Sequence, residues 1–242
     1  FALACQPAQV YSIVLSDILG DPLDMIASGP AYPDSSVCED AVRIAGKYHL
    51  QLSDTAQRLL REETPKRLDN VETKITGSVT GLCRAAARAA QSLGYEPLIL
   101  TDQLSCVARE AGAFLAAIAK THQNAGKSLA FIAGGETIVH LTGKGKGGRN
   151  QELALAAAEG IAGLEQTAIC SVGSDGTDGP TDAAGGYCDG GTKAQLDVLG
   201  IRIYDVLQEN DAYHALQKTG GLVRTGATGT NVNDVAVLLI RR

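Results

Sequence analysis

The chain has 242 residues and a mass of 25.1 kDa, enough for one large or two modest domains with a true core. Hydrophobic content of 45% and charged content of 20% are those of a globular protein. A net charge of −6 and a pI near 5.2 exclude a general nucleic-acid surface, which needs a basic excess, so an anionic ligand must meet a local basic patch.

The segment 10–16, VYSIVLS, reads as a buried strand ending at Asp17, and 17–34 as a loop dense in Gly, Pro and Asp. Residues 36–68 read as helical, with a break at Pro65. A short strand follows at 71–78, then a helix at about 80–93 that Gly94 can end. YEPLILTD is the next strand, and SCVAREAGAFLAAIAKTHQ the next helix. SLAFIAGGE and TIVHLTG read as two strands around Gly134 and Gly135, followed by a glycine-rich loop and a helix at about 150–162. TAICSVGSDG is a strand, 192–199 a helix, IRIYDVL a short strand and turn, and VAVLLI the last strand. Strands alternating with helices predict an α/β fold, three-layered and Rossmann-like, with a largely parallel or mixed sheet covered on both faces. The division expected is 1–35, a helical connection over 36–70, and a second α/β domain over 71–242. The chain opens on Phe1 and its only methionine is Met25, so it reads as the later part of a longer two-domain protein.

No apolar run reaches the ~18–20 residues that a membrane helix needs, and no basic leader is present, so no membrane partner is expected. The six cysteines form no CxxC pair and no zinc-like cluster with histidine. They read as buried free thiols of a cytoplasmic protein. The four histidines pair with no Ser or Cys in a hydrolase pattern and read as surface or structural.

The run GKGKGGRNQELALAAA, Gly143 to Ala158, carries the clearest chemistry. Glycines let a backbone approach a ligand, a helix start aims free N–H groups and a positive dipole end at it, and Lys144, Lys146 and Arg149 add to that field. The expected ligand is an anion, most simply a phosphate. Arg149 is the best single candidate, since a guanidinium grips carboxylate or phosphate by two parallel hydrogen bonds. Asn150 and Glu152 read equally as cap and first-turn acid or as ligand-binding groups. The plainer reading of the loop is a flexible exposed hairpin. Gly143, Gly145 and Gly148 match G-x-G-x-x-G, but no acidic residue closes a second strand ~20 residues on, and no Lys-Ser or Lys-Thr completes a P-loop. In SDGTDGPTD, Asp175 and Asp178 suit Mg²⁺, which takes one or two carboxylates beside substrate phosphates, while Asp182 reads as a turn cap with Thr181.

Four ordered motifs then carry a resemblance. GGETIVHLTGKGKGGRNQELALAAA, SVGSDGTDGPTDAAGG and TGATGTNVND resemble the C-terminal MOFRL domain of class II glycerate kinases, some of which carry the older label hydroxypyruvate reductase. LSDILGDPLDMIASGPAYPD resembles the end of that family's N-terminal domain. The resemblance implies transfer of the ATP γ-phosphoryl group to D-glycerate with Mg²⁺, giving 2-phosphoglycerate in a cleft between two domains. It matches Arg149 and Asp175 to active-site residues, with Asp175 orienting Mg²⁺ or accepting the glycerate hydroxyl proton. Lys146 joins Arg149 at the phosphoryl group, and Asp178 is a second metal candidate. It extends the substrate and nucleotide set to Asp17, Asp21, Ser28, Gly135, Glu136, Gly147, Gly148, Asn150, Glu152, Thr177, Asp178, Thr230 and Asn231. A homodimer is carried as an expectation. The family's glycine-rich segment and catalytic lysine are absent, so the 242 residues alone are expected to be inactive. Cys106 and Val107 replace the family's usual Gly-Glu, and Ala227 a usual proline. Two other readings remain: an NAD(P)H-dependent hydroxypyruvate reductase and a non-catalytic domain that binds nucleotide or glycerate.

Overall fold

The computed structural model describes residues 1–242, which divide into two units: Phe1–Val14 with Asp21–Thr76, and Leu15–Gly20 with Gly77–Arg242. In the smaller unit β1 (Val10–Leu15) and β2 (Val71–Gly77) form a two-stranded sheet, and α1 (Cys38–Lys47) and α2 (Asp54–Leu59) lie between them in sequence. The helical stretch expected over 36–68 is thus two short helices. His49 takes a left-handed φ of 52° just past α1, and Ser53 restarts the helix by accepting from the Ala56 N–H at 3.3 Å. Buried Asn70 ties the chain's beginning to β2 by donating to the carbonyls of Ala2 (2.9 Å) and Ala8 (3.0 Å).

The larger unit runs α3 (Val79–Ser92), β3 (Glu96–Leu104), α4 (Ala108–His122), β4 (Leu129–Gly135), α5 (Arg149–Gly160), β5 (Thr167–Gly173), β6 (Gly185–Asp189), α6 (Thr192–Val198), α7 (Ile203–Gln208), α8 (Ala212–Lys218), β7 (Leu222–Val223) and β8 (Asp234–Ile240). Its six strands stand in the order β3-β4-β8-β5-β6-β7. Side chains alternate across the central strands. Phe131, Ala236, Leu238 and Ile240 enter the core under α4 and α5, while Ile132 and Val235 meet Val79 and Cys83 of α3 on the other face. These are the three layers expected.

Of the two arrangements expected, largely parallel or mixed, the sheet is mixed. The last strand, β8, inserts antiparallel between β4 and β5, and β5-β6 and β6-β7 are antiparallel too, leaving β3-β4 the only parallel pair. With both edges of β4 taken, TIVHLTG pairs only through a single bridge of Ile138 to Val107 and forms no strand. IRIYDVL folds instead as α7, burying Ile203, and α8, β6 and β7 were not foreseen.

On α4 a stripe of Ala108, Ala111, Leu115, Ala116 and Ala119 is buried. Its small residues bring α5 so near that a Cβ on Gly112 would stand 2.3 Å from the Leu153 carbonyl oxygen. Helix α5 is consequently buried on almost every side, Asn150, Gln151 and Glu152 included. All six cysteines are free, but only Cys83 and Cys188 are buried; Cys5, Cys38, Cys106 and Cys170 are partly exposed. No helix is long and apolar enough to cross a membrane.

Candidate active site

Three consecutive polar side chains buried at the start of a helix must each find partners, and those partners build the site. Asp178 supplies the first set. Its Oδ1 accepts from the Asn150 N–H (3.1 Å) and Nδ2 (3.3 Å), and its Oδ2 from the Gln151 N–H (2.9 Å). Gln151 Nε2 donates back to the Asp178 carbonyl (3.2 Å) and to Thr181 Oγ1 (2.9 Å), and Ser171 Oγ donates to Asn150 Oδ1 (2.5 Å). Burial pushes the Asp178 carboxyl up to about 6. The N–H groups of Gln151 and Asn150 pull the other way, and the nearby charge of Asp234 adds to the rise. Asp178 is therefore corrected from metal candidate to the group that holds the start of α5: both its oxygens are directed at helix N–H groups and the residue is 3% exposed.

Arg149 opens α5 beside this cap. Its guanidinium takes Asp234 in a two-pronged pair, Nε to Oδ2 at 2.5 Å and Nη2 to Oδ1 at 3.1 Å, and reaches Glu136 Oε1 with Nη1 at 3.0 Å. Asp234 begins β8 opposite Gly135 of β4 and Gly173 of β5, which fixes its carboxylate below the arginine. The hydrogen bond to Asp234, its charge and that of Glu136 hold the guanidinium protonation above its ordinary range, against burial. The arginine side chain is 36% exposed and Asp234's 8%, so the pair anchors the arginine and leaves it open to the cleft.

That cleft has a volume of ≈ 750 Å³, within the range of small-molecule sites. Leu19, Ile138, Leu141 and Pro180 give it apolar wall, and Glu136 and Arg149 its charge. The glycine-rich loop along one side is not a flexible hairpin. A Cβ on Gly143 or Gly145 would come within 2.5 Å of Glu209 main-chain atoms, and one on Gly148 within 2.3 Å of the Asp178 carboxylate. The Gly145 N–H donates to the Glu209 carbonyl (2.7 Å) and the Lys146 N–H to Asp211 Oδ1 (2.9 Å). The N–H groups of Gly147, Gly148 and Arg149 donate to no group of the chain and stand at the positive end of α5.

The predicted residues fall into three sets. Arg149, Glu136, Gly147, Gly148, Glu152 and Asp178 line the cleft. Glu152 does so while paired to Arg109 Nε at 3.1 Å, as a buried structural acid. Asn150 is buried against Asp178 and Ser171, and Gly135, at φ 153°, lies so close to Leu104 that a Cβ would meet its carbonyl. Lys146 folds its ammonium over the Tyr213 ring, 4.3 Å from the centroid, outside the cleft lining. Asp175 accepts from its neighbour Thr177, N–H and Oγ1 both at 2.9 Å, and its loop is laced to the 225–233 turn. Thr228 Oγ1 donates to the Ser174 carbonyl (2.5 Å) and the Val232 N–H to Ser174 Oγ (2.7 Å). Thr230 and exposed Asn231 sit in that turn, where Asn231 Oδ1 accepts from the Asn233 N–H (3.3 Å). Exposed Asp17 belongs to the larger unit; Asp21 and Ser28 belong to the smaller, both with left-handed φ, 54° and 62°. Asp182 is no turn cap: it accepts from Tyr213 Oη (2.7 Å) and Arg224 Nε (2.9 Å). Asp234 and Asn210 were missed. An acid at a strand start and an asparagine in a polar ENDAY run carry no periodic signal; both are recognisable only once β8 and α7 are in place.

In this α/β domain an arginine and three free N–H groups stand together at one partly apolar cleft. The MOFRL family profile matches residues 129–234, and that of a domain of unknown function, DUF4147, residues 1–61. D-glycerate 2-kinase of Thermotoga maritima is 50% identical over 99% of this chain and 58% of its own length. The crystal structure of glycerate kinase from the same organism superposes with a TM-score of 0.93, covering 99% of this chain and 59% of that one. Glycerate kinase of Macaca fascicularis is 32% identical over 99% of this chain and 74% of its own. The chain belongs to the class II glycerate kinase family. It spans little more than half the length of the Thermotoga relative.

Proposed function

We propose that the protein serves an ATP-dependent glycerate 2-kinase, transferring the γ-phosphoryl group to the 2-hydroxyl of D-glycerate. The observation that carries the reading is Arg149, braced by Asp234 and Glu136 and open to the cleft beside the free N–H groups of Gly147 and Gly148. Phosphoryl transfer asks for positioning and charge neutralisation more than covalent chemistry. Arg149 takes up charge on the equatorial oxygens as the hydroxyl oxygen bonds to phosphorus, the bond to ADP breaks and the hydroxyl proton leaves to the Asp175 carboxylate or to water. The N–H groups of Gly147 and Gly148 hold phosphate oxygens, and Lys146 swings from Tyr213 to the same charge. Glu136 and Asp234 keep the guanidinium in its plane.

Mg²⁺ fits one residue here. Asp175 is a partly exposed carboxylate whose bonded partners come from Thr177 alone, whereas Asp178 is committed to α5. One carboxylate suffices for Mg²⁺ when substrate phosphates and water complete its shell, and the ion supplies charge neutralisation of the polyphosphate. A carboxylate oxygen is the hard donor that Mg²⁺ takes, and a loose transition state needs no strong base.

Glycerate-dependent release of ADP from Mg-ATP, with assignment of the phosphoglycerate isomer, tests the reading. It is run on the 242-residue chain and on the chain joined to the part of the Thermotoga enzyme that it does not match. Formation of 2-phosphoglycerate by the joined chain is expected; no glycerate-dependent ADP from either refutes it.

A further inference from the structure

Residues 207–213, from the end of α7 into the start of α8, include none given a catalytic role above, yet they hold the loop that has one. The centre is Asn210, 7% exposed and left-handed at φ 54°. Its Oδ1 accepts from the N–H groups of Thr142 (2.7 Å) and Gly143 (2.9 Å). Its Nδ2 donates to the His140 carbonyl (3.0 Å) and to Glu152 Oε2 (3.4 Å). One amide thus spends both acceptor sites and both hydrogens, the most an asparagine can offer.

The partners lie on two different pieces of the site. His140, Thr142 and Gly143 are the entry to the cationic loop, and Glu152 is on α5, the helix that begins with Arg149. Glu152 is itself fixed by Arg109 of α4, whose Nη2 donates to the Leu207 carbonyl at 3.2 Å. On either side of Asn210 the neighbouring residues continue the template. Glu209 accepts from the Gly145 N–H, Asp211 from the Lys146 N–H, and the Tyr213 N–H donates to the Lys146 carbonyl (2.9 Å). Gly143 and Gly145 have no room for a Cβ against this segment. This segment sets the loop's shape, with Asn210 and Ala212 themselves reaching the cleft wall, and it leaves the N–H groups of Gly147, Gly148 and Arg149 without partners in the chain.

We infer that Asn210 is a positioning residue: its amide clamps the entry of the cationic loop to α5 and so sets where Gly147, Gly148 and Arg149 present their donors. The clamp stands on geometry alone; its consequence for turnover rests on the kinase reading.

Three variants separate the amide from the turn it sits in. Asn210→Gly keeps the left-handed backbone at no steric cost and removes the amide. Asn210→Asp keeps the acceptor for Thr142 and Gly143 but sets a carboxylate against Glu152. The pair Asn210→Asp with Glu152→Gln reverses donor and acceptor across that contact at unchanged total charge. In the active protein, Asn210→Gly is expected to lower kcat about 100-fold, the scale of a ~1 Å misplacement of a catalytic group. KM should stay unchanged, because the loss falls on the transition state. The paired variant should recover at least ~10-fold over Asn210→Asp. Hydrogen exchange gives a readout that needs no turnover: the Thr142 and Gly143 amides should exchange faster in Asn210→Gly while β4 and β8 keep their protection. A kcat within about twofold of the parent, or loop amides that remain protected, overturns the inference. So does equal loss of protection in β4 and β8, which would make the amide a general prop of the fold. A parent without glycerate-dependent turnover counts against the kinase reading, and the exchange data then decide the clamp by themselves.

Discussion

A carboxylate held by helix N–H groups normally titrates low, so the raised Asp178 sets up a test of what its burial costs. Its carboxyl rises from the ordinary 3.8 to about 6, a shift of some 2 units. At about 1.4 kcal/mol per unit this is about 3 kcal/mol between the protonated and ionised forms in the folded state, relative to the unfolded chain. The sign follows from proton binding. Between the two values the folded chain holds the proton and the unfolded chain does not, so stability falls as pH rises and the contribution is gone above about 6. From pH 5 to pH 8 the group should remove about 1–2 kcal/mol from the unfolding free energy. Asp178→Asn cannot ionise and lacks this slope. It also turns an amide N–H₂ or a single carbonyl towards the Gln151 N–H, losing a charge-assisted bond of about 1.5–3 kcal/mol. At pH 8 that loss and the relief of a buried charge nearly cancel, so parent and variant should differ by no more than about 1 kcal/mol. At pH 5 the parent has already taken its proton, and the variant should be the less stable by about 1–2 kcal/mol. The chain has no tryptophan, so urea unfolding is followed by far-ultraviolet circular dichroism at pH 5, 6, 7 and 8. Parent and variant curves that run parallel across this range refute the argument.

The chemistry of the cleft makes further demands. Arg149→Ala is expected to lower kcat ~10³-fold, the scale of an arginine finger, and steady-state assay of an unchanged rate would remove it from the mechanism. Arg149→Lys should recover little of this, since an ammonium cannot hold both oxygens of Asp234 while meeting a phosphate. Asp175→Asn should raise the Mg²⁺ concentration needed for half-maximal turnover at least ~10-fold; a normal Mg²⁺ titration frees Asp175 of the ion. Gly148→Ala puts a Cβ 2.3 Å from the Asp178 carboxylate carbon and should cost about 1–3 kcal/mol in thermal unfolding, while Gly94→Ala, at an open φ of 86°, tests backbone strain without a clash.

The α/β class, the buried strands and the helices after 79, 108 and 149 were legible because each is a local pattern of burial and capping. Sheet direction was not. β8 enters between β4 and β5 from the far end of the chain, and nothing in VAVLLI distinguishes an antiparallel insertion from a parallel edge strand. TIVHLTG alternates as a strand should, but β4 had no free edge for it. IRIYDVL is apolar enough for a strand, yet it folds as α7 with Ile203 buried in the core cluster that includes α5. Arg149 was legible from its place at a helix start. Asp178 was read for its charge, and only its depth in the fold shows that its oxygens are spent on α5. Asp234 and Asn210 act across 85 and about 60 to 70 residues of sequence, so no window along the chain contains their partners.

The loop that invites the nicotinamide reading supports it less well than it supports the kinase reading. In a dinucleotide fold the first glycines follow a strand and bring the backbone against the pyrophosphate, and the third lets helix and strand close up. Here no strand precedes Gly143, because TIVHLTG is unpaired beyond Ile138. Gly143 and Gly145 are small because Glu209 and Asp211 stand against them, and Gly148 because the Asp178 carboxylate does. The match to G-x-G-x-x-G is met by protein on one side. The donors left for a ligand are those of Gly147, Gly148 and Arg149, clustered at one helix end beside a guanidinium. On the kinase reading that arrangement would meet charge gathered on a single transferring group, as phosphoryl transfer demands, whereas hydride transfer would need a nicotinamide ring held flat beside it.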